Sequence, residues 1–449
     1  MSAIAFTLHD VAAQIGESPD ALRDWQALGL IGHAEALSVE DLERARLISF
    51  AARRGVPAEE LARICRDQGD VLAPFVRWAL RPGREATVSP ADAAERAGID
   101  LELFDRMWTA AGLRDQTHAY EEDVEALHVV ATALKVGLPA EAMLQILRVL
   151  SDALGKVSET MTRVFHLYVH ERFRAEGLSG EELMAATQSL ADPMIDLIEP
   201  AVLYFHRKSW ERANREDLLL HLIEETNPPS GEPGELVRTI LFVDLSSFTP
   251  LTEAMGDAVA ARIVERFSDM VRLTAARCDG QVIKQIGDEF MLVFPTPASA
   301  VAFGLGIRAA AAAEPRFPAL RVGAHTGSVL YREGDYLGAN VNLAARVTSA
   351  AARKQFVVTE AVVRDARRDD IEFVALGPHA LKGVSDPVDL FEVRTSEDTI
   401  AREADPVCGM ELDDATAEAH LSWEGRRLLF CSEGCLRRFL ERPDTYAGR

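Results

Sequence analysis

The chain has 449 residues, 48% of them hydrophobic and 27% charged, which is typical of a globular protein of about three domains. Its formal net charge of −23 excludes non-specific binding of nucleic acid or anionic lipid by the chain as a whole. No apolar run reaches the ~18 residues of a membrane span, and the N-terminus lacks a signal-peptide pattern, so we expect a cytoplasmic protein with no membrane partner.

The first half of the chain predicts only helices and contains an internal repeat. Gly16 recurs as Gly98, and Gly55 as Gly137, in each case 82 residues later and within similar sequence. Each copy begins with two short helices around a Gly-containing turn, which predicts tandem helix-turn-helix-like units in residues 1–80 and 81–226.

Residues 7–31 resemble the opening of MerR-type helix-turn-helix proteins, which implies binding of duplex DNA. Residues 1–70, however, hold twelve acidic residues against seven arginines and no lysine. A protein that reads duplex DNA needs a basic stripe, so we favour a helical sensor or docking module and expect no nucleic-acid partner.

The pattern changes after the Pro/Gly-rich residues 227–235, which we predict to be a linker. Helical patterns continue up to about residue 225, whereas strands and helices alternate beyond the linker. The predicted strands are 237–243, 282–286, 290–294, 320–325, 355–359 and 390–394, and the predicted helices are 251–278, 298–313 and 341–351. This alternation, with one hairpin, predicts an α+β domain over residues 236–398.

Two carboxylates lie at the ends of neighbouring predicted strands. Asp244 follows the strand 237–243, and Asp288 lies in the turn of the predicted hairpin. Two acids placed in this way are what a pair of Mg²⁺ ions bridged by phosphate oxygens requires. Lys284, four residues before Asp288, is suited to recognise a base or to neutralise phosphate.

The α+β segment resembles the catalytic domain of class III adenylate and guanylate cyclases. Four motifs carry the resemblance, namely Phe-Val-Asp-Leu-Ser-Ser-Phe-Thr (242–249), Lys-Gln-Ile-Gly-Asp (284–288), Gly-Asp-Tyr-Leu-Gly-Ala-Asn-Val-Asn-Leu-Ala-Ala-Arg (334–346) and Leu-Lys-Gly-Val (381–384). It implies a ferredoxin-like α+β fold in which Asp244 and Asp288 hold two Mg²⁺ or Mn²⁺ ions. The turn that contains Phe248 and Thr249 would offer backbone N–H groups to phosphate oxygens at a helix N-terminus.

The resemblance also implies roles for the remaining motif residues. Lys284 and Asp335 would read adenine, because a lysine donor and a carboxylate acceptor match N1 and N6 of that base. Asn342 would orient the ribose, Arg346 would stabilise charge on the α-phosphate, and Lys382 would bind phosphate. ATP is therefore the expected substrate.

The resemblance implies a homodimer, because in this family the metal-binding acids of one subunit face the base-reading, Asn and Arg groups of the other. We expect a regulated adenylate cyclase; the alternative is a DNA-binding regulator whose cyclase-like domain only senses a nucleotide. Residues 90–225 resemble the helical regulatory domain that precedes some actinobacterial cyclases, a family associated with autoinhibition and acid sensing. The candidate titrating groups are His118, His128, His166, His170, His206 and His221.

Three of the five cysteines, Cys408, Cys431 and Cys435, cluster near the C-terminus, whereas Cys65 and Cys278 are isolated and predict core thiols. Three thiolates suit Zn²⁺ or Cu⁺, and His420 or water remain open as the fourth ligand. Residues 405–446 resemble a YHS domain, a family associated with metal-handling proteins. We predict a small α+β module over 402–449, with free thiols as the alternative to a metal site.

Overall fold

The computed structural model describes residues 6–79, 87–113, 118–226, 234–395 and 403–446. It divides into two compact units, Met1–Pro228 and Pro229–Arg449. The predicted linker 227–235 lies mostly outside the described residues. Within the described part of the chain, no helix combines the length and the apolar character needed to cross a bilayer.

The first unit is helical, as predicted, and its described residues include two very short strands. Its elements are α1 (Leu8–Ile15), α2 (Pro19–Ala27), α3 (Val39–Ala52), α4 (Ala58–Gln68), α5 (Ala73–Ala79), β1 (Thr87–Val88), α6 (Pro90–Ala97), α7 (Leu101–Ala110), β2 (Ala119–Tyr120), α8 (Glu121–Lys135), α9 (Ala140–Phe165), a π-helical turn (His166–His170), α10 (Glu171–Ala175) and α11 (Gly180–Thr226).

The internal repeat seen in the sequence is also present in the backbone pairing. Phe6 pairs with Leu37 in an isolated antiparallel bridge, and Val88 pairs with Ala119 where β1 meets β2. Each residue of the second pair lies 82 positions after its counterpart in the first. The two halves of the repeat therefore close their helices with the same β-contact.

The second unit begins with the predicted α+β domain. Its elements are β3 (Glu235–Leu245), α12 (Phe248–Met255), α13 (Asp257–Arg277), β4 (Gln281–Ile286), β5 (Glu289–Phe294), α14 (Pro297–Ala313), β6 (Leu320–Arg332), β7 (Asp335–Leu337), α15 (Ala339–Ala350), β8 (Phe356–Thr359), α16 (Glu360–Asp365), β9 (Glu372–His379) and β10 (Val388–Arg394).

These strands form one sheet in the order β4-β5-β3-β6-β8-β10-β9, with β7 paired to β6. The first four strands and their connecting helices form the β-α-β-β-α-β arrangement of ferredoxin-like domains. The central strand β3 alternates its side chains between two faces: Leu241 and Val243 pack in the cluster with α13 and α14, whereas Ile240 and Phe242 pack with α15. The sheet is therefore covered on both faces, and the strand ends remain available for a site.

Aromatic side chains dominate the core on the α13–α14 face. Phe267 of α13 is fully buried, and its ring meets that of Phe290 edge-to-face with centroids 5.2 Å apart. Phe317 lies on the other side of Phe267 at 6.3 Å. These contacts hold α13 against the strand that follows Asp288.

One predicted helix of this domain differs from the structure, and β7, α16 and β9 were not predicted. The helix predicted over 251–278 is two helices, because Gly256 adopts a left-handed φ of 82° between α12 and α13. Strand β9 has the short apolar run 373–376, but all its residues are exposed or half-buried and it pairs with β10 at the end of the sheet. The hairpin with Gly287 and Asp288 in its turn is confirmed.

The C-terminal module consists of two small hairpins and a helical end. Its elements are β11 (Glu403–Ala404), β12 (Glu411–Leu412), β13 (Ala419–Trp423), β14 (Arg426–Phe430), α17 (Glu433–Glu441) and α18 (Pro443–Tyr446). Its buried side chains, among them Val407, Met410 and Phe430, belong to the same hydrophobic cluster as the α13–α14 face of the sheet. The module thus packs on the α+β domain instead of forming a separate core.

Candidate active site

The two predicted metal-binding acids are brought together by strand register. Val243 of β3 pairs with Phe290 of β5, so Asp288 and Glu289, which directly precede Phe290, lie next to Asp244. On the other side of β3, Asp244 pairs in register with Arg321 of β6, and the two side chains form an ion pair. The side chain of Asp244 is only 14% exposed.

The electrostatics of this acid cluster favour a cation. Burial, followed by the charge and hydrogen bond of Asp244, raises the pKa of Asp288 to about 7. Burial and then Asp244 also raise the pKa of Glu289, while Arg321 opposes this shift. Carboxylate oxygens are hard donors of the kind that Mg²⁺ and Mn²⁺ prefer, so the residues present fit a divalent cation of this type.

The turn after β3 leaves buried polar atoms without partners. Ser246 is 3% exposed, and its hydroxyl has no hydrogen-bond partner among the described residues. Nε of Arg321 is likewise buried and unpaired within this part of the chain. Unsatisfied buried polar groups are costly, so their presence beside the acids is consistent with a polar ligand in this region.

The same turn leads into the N-terminus of α12, where the sequence predicted phosphate binding. Ser247 is the N-cap residue and holds a left-handed φ of 67°. The exposed Thr249 and the half-buried Phe248 follow it. Phe248 lines a shallow cleft of about 520 Å³ together with Gly287 of the hairpin turn, so the helix start and the acid turn border one depression.

The two predicted base-reading residues are in direct contact. Nζ of Lys284 on β4 donates to the carboxylate of Asp335 at the start of β7. Both side chains are about one third exposed, at 38% and 32%. The structure therefore presents an amine and a carboxylate side by side at the surface.

The remaining predicted residues lie on exposed positions. Asn342 and Arg346 are one turn apart on α15, and Lys382 lies between β9 and β10. In the part of the chain that the structure describes, none of these three side chains has a hydrogen-bond or ion-pair partner. A single protomer therefore leaves them open to solvent.

A histidine that sequence reasoning missed anchors the helix that carries Asn342 and Arg346. The buried His325 contacts Thr359 through Nδ1 at 2.8 Å and Asn340 through Nε2 at 3.0 Å. Asn340 also donates to the carbonyl of Ser328 at 2.7 Å. Burial lowers the pKa of His325, which favours the neutral ring in this network. The predicted strand 320–325 contained this residue, but only the fold shows its partners.

The cysteines predicted to bind metal form a compact buried group. Sγ of Cys408 lies 3.4 Å from that of Cys431, which lies 3.6 Å from that of Cys435. Asp405 joins them, and the four potential ligand atoms lie within 4.8 Å of one another. His420, considered as a fourth ligand, lies on an exposed position of β13 and is not in this group.

Hydrogen bonds among the three thiols favour Cys435 as the first of them to lose its proton. Hydrogen bonds from Cys408 and Cys431 lower the pKa of Cys435, which also lies in the first turn of α17. The same contacts and burial raise the pKa of Cys408. Three sulfur atoms and one carboxylate, all buried, fit a borderline ion such as Zn²⁺.

Comparison with known families covers most of the chain. Residues 26–205 match the adenylate cyclase regulatory domain, residues 235–394 the adenylate and guanylate cyclase catalytic domain, and residues 404–449 the YHS domain. The predicted cyclase domain, its helical regulatory domain and the YHS domain are thereby confirmed at the level of the family.

Individual relatives agree with these matches. An adenylate cyclase of Streptomyces coelicolor is 30% identical over 295 residues, which cover 64% of this chain and 73% of the relative. A pH-sensitive adenylate cyclase of Mycobacterium tuberculosis is 28% identical over 374 residues, 78% of this chain and 88% of the relative. A solved structure of an adenylate cyclase from Trypanosoma brucei in its monomeric state has a TM-score of 0.33 and 25% identity, covering 37% of this chain and 92% of that one. The three family matches and the Streptomyces coelicolor relative show that the chain belongs to the class III adenylate cyclases, with a regulatory domain before the catalytic domain and a YHS domain after it.

Proposed function

We propose that this adenylate cyclase converts ATP to 3′,5′-cyclic AMP and pyrophosphate by two-metal-ion catalysis at two sites shared between the protomers of a homodimer. The observation that supports it most is the acid pair. Burial, and after it the charge and hydrogen bond of the neighbouring Asp244, raise the pKa of Asp288 to about 7, and such a buried acid pair is unfavourable unless a cation joins it.

Asp244 and Asp288 would hold the two divalent cations, and Arg321 would keep Asp244 oriented through their ion pair. When bound, such ions supply a lowered pKa for the ribose 3′-hydroxyl and neutralise charge on the triphosphate. The N–H groups of the turn at Phe248 and Thr249 would bind phosphate oxygens, because the N-terminus of α12 points its unpaired donors there.

Lys284 and Asp335 would select adenine over guanine. In the free protein each satisfies the other, so ATP would exchange their mutual ion pair for contacts of Lys284 with N1 and of Asp335 with N6. Because both groups are about one third exposed, the cost of separating them is small compared with that of a buried pair.

The homodimer would complete each site. Asn342, Arg346 and Lys382 are exposed and have no side-chain partner in the described residues, as expected for groups whose ligand is bound jointly with a second subunit. Asn342 would orient the ribose, Arg346 would stabilise charge that develops on the α-phosphate, and Lys382 would bind the triphosphate.

Single substitutions test the metal assignment. Asp244→Ala and Asp288→Ala should each abolish cyclic AMP formation from Mn²⁺ and ATP while leaving the dimer intact. Near-normal turnover in either variant would contradict the assignment of both acids. Absence of product from the unaltered protein at any pH, together with binding of duplex DNA, would favour the alternative of a DNA-binding regulator.

Mixing two inactive variants tests the shared site. Asp244→Ala and Arg346→Ala protomers should each be nearly inactive, but a mixed dimer contains one site with both residues intact. Random pairing makes half of the dimers mixed, so activity should recover to about one quarter of the wild-type value. Failure to recover, with mixed dimers demonstrated by mass spectrometry, would show that each protomer carries a complete site.

We also propose that the helical half regulates catalysis and that its tandem repeat consists of MerR-like units. The repeated β-contacts support the tandem arrangement. In the π-helical turn, the rings of His166 and His170 stack with centroids 4.8 Å apart, so protonation of both would place like charges in contact. Replacing both with Gln should flatten the response of activity to pH between 5 and 8 if this turn is an acid sensor.

A further inference from the structure

The C-terminal module touches the turn that we propose binds the triphosphate. Gly409, on the loop between β11 and β12, adopts a φ of 76°, and a Cβ at this position would lie 2.6 Å from Cβ of Ser247. Ser247 is the left-handed N-cap of α12, a conformation that costs free energy for a residue other than glycine unless its surroundings enforce it. Gly409 is therefore in contact with the catalytic turn at its strained residue.

Ion pairs to the buried carboxylate of Glu411 fix this loop to the catalytic domain. Arg353 donates to the carbonyl of Gly409 and, at 3.0 Å and 2.7 Å, to the carboxylate of Glu411. Lys354 forms a second ion pair with Glu411 at 2.6 Å, and Glu411 is only 7% exposed. A buried carboxylate with charged partners is held firmly, because separation would leave it unpaired.

The same loop carries part of the thiol cluster. Cys408 directly precedes Gly409, and its sulfur lies 3.4 Å from that of Cys431. Tetrahedral Zn²⁺ with Zn–S bonds near 2.3 Å would place its sulfur ligands about 3.8 Å apart, so the thiols already stand close to ligand spacing. Backbone N–H groups of Val407, Cys408 and Cys431 donate to the carboxylate of Asp405, which is 1% exposed. Asp405 thus gathers the two cysteine-bearing segments.

We propose that Zn²⁺, bound by Cys408, Cys431 and Cys435 together with Asp405, fixes Gly409 against Ser247 and thereby makes ATP binding at the catalytic turn depend on metal bound to the YHS domain. Cys431 directly follows β14 and Cys435 lies on α17, so the ion would join these segments to the Gly409 loop. Without the ion, only Asp405 joins the Gly409 loop to the segment of Cys431, and the catalytic turn is less ordered. The inference rests on the proposed role of the turn at Phe248 and Thr249 in phosphate binding.

The test measures Zn²⁺ binding and ATP binding separately on the full chain with Mn²⁺ in excess. We expect one Zn²⁺ per protomer, and Zn²⁺ should lower the dissociation constant of a non-cyclisable ATP analogue and the KM for ATP about tenfold, with a smaller change in kcat. A tenfold change is the effect of ordering roughly one hydrogen bond to a charged phosphate. Chelation should reverse both changes.

Two variants separate binding of Zn²⁺ from its effect. The double variant Cys431→Ser and Cys435→Ser should lose both Zn²⁺ and the response. Arg353→Met should keep Zn²⁺ but lose the response, because it removes the side-chain link from the catalytic domain to the carbonyl of Gly409 and leaves Glu411 with Lys354 as its ion-pair partner. If thermal unfolding shows that the cysteine variant does not fold, Arg353→Met still tests whether bound Zn²⁺ affects ATP binding through the Gly409 loop.

Matched controls are available in the same unit. Cys278→Ser removes a thiol outside the cluster, and Arg427→Met removes an arginine whose ion-pair partner, Asp414, lies within the C-terminal module. Both should respond to Zn²⁺ as the wild type does. The proposal is overturned if the wild type binds no Zn²⁺, if Zn²⁺ leaves analogue affinity unchanged, or if Arg353→Met responds normally. Normal coupling of Zn²⁺ to analogue binding without any cyclic AMP would instead contradict the proposed function alone.

Discussion

The acid pair makes binding of Mn²⁺ to the catalytic domain depend on pH near neutrality. Burial and the neighbouring Asp244 raise the pKa of Asp288 to about 7. Protons and Mn²⁺ therefore compete for this carboxylate near neutral pH, where an ordinary aspartate is fully ionised. A single competing proton lowers the apparent affinity by the factor 1 + 10^(pKa − pH). The apparent Mn²⁺ affinity should therefore be about tenfold lower at pH 6 than at pH 8, and about a hundredfold lower at pH 5.

Electron paramagnetic resonance of free Mn²⁺ measures this dependence directly, and ¹³C NMR of the Asp288 carboxyl in metal-free protein measures the pKa itself. Asp244→Asn should move the NMR midpoint to lower pH, because it removes the neighbouring charge. Asp335→Asn is the matched control: its carboxylate pairs with Lys284, so the pH dependence of Mn²⁺ binding should not change. An affinity that is constant from pH 6 to 8, or an Asp288 midpoint below pH 5, would refute the reasoning.

Three further predictions concern catalysis, stability and the core. Arg346→Ala should lower kcat by roughly 10²–10³-fold in a steady-state assay without changing Mn²⁺ affinity, by analogy with loss of one donor to transition-state charge. The pKa of Asp288 is raised in the folded protein, so protonation of this carboxyl stabilises the fold, and that stabilisation is lost as the pH rises through about 7. Asp288→Asn, which cannot ionise, should therefore raise the thermal midpoint of the metal-free protein more at pH 8 than at pH 5. Phe267→Ala should cost about 3–5 kcal/mol in urea unfolding of the second unit, since it opens a cavity between two aromatic rings; a loss below 1 kcal/mol would contradict this packing.

Several features of the catalytic domain were open to prediction because they are local. The apolar run before Asp244 and the hairpin around Gly287 depend on residues that are close together in the sequence. The strand before Asp244, the two strands of the hairpin and its turn occur where the sequence pattern predicted them. The break at Gly256 was missed because it depends on the backbone conformation of one residue, and strand β9 was missed because it depends on pairing with β10.

The amino-acid sequence alone identifies the residues that carry oxygen, nitrogen and sulfur donors, and it shows the order of the motifs that contain Asp244, Asp288 and the cysteines, because these are properties of the covalent chain. Which of these residues come into contact depends on the folded structure. Arg321 reaches Asp244 across 77 residues of sequence, Asp405 binds the backbone of Cys431 across 26, and Gly409 abuts Ser247. Strand register and the packing of the C-terminal module determine these contacts, and neither can be inferred from the residue spacing within a single motif.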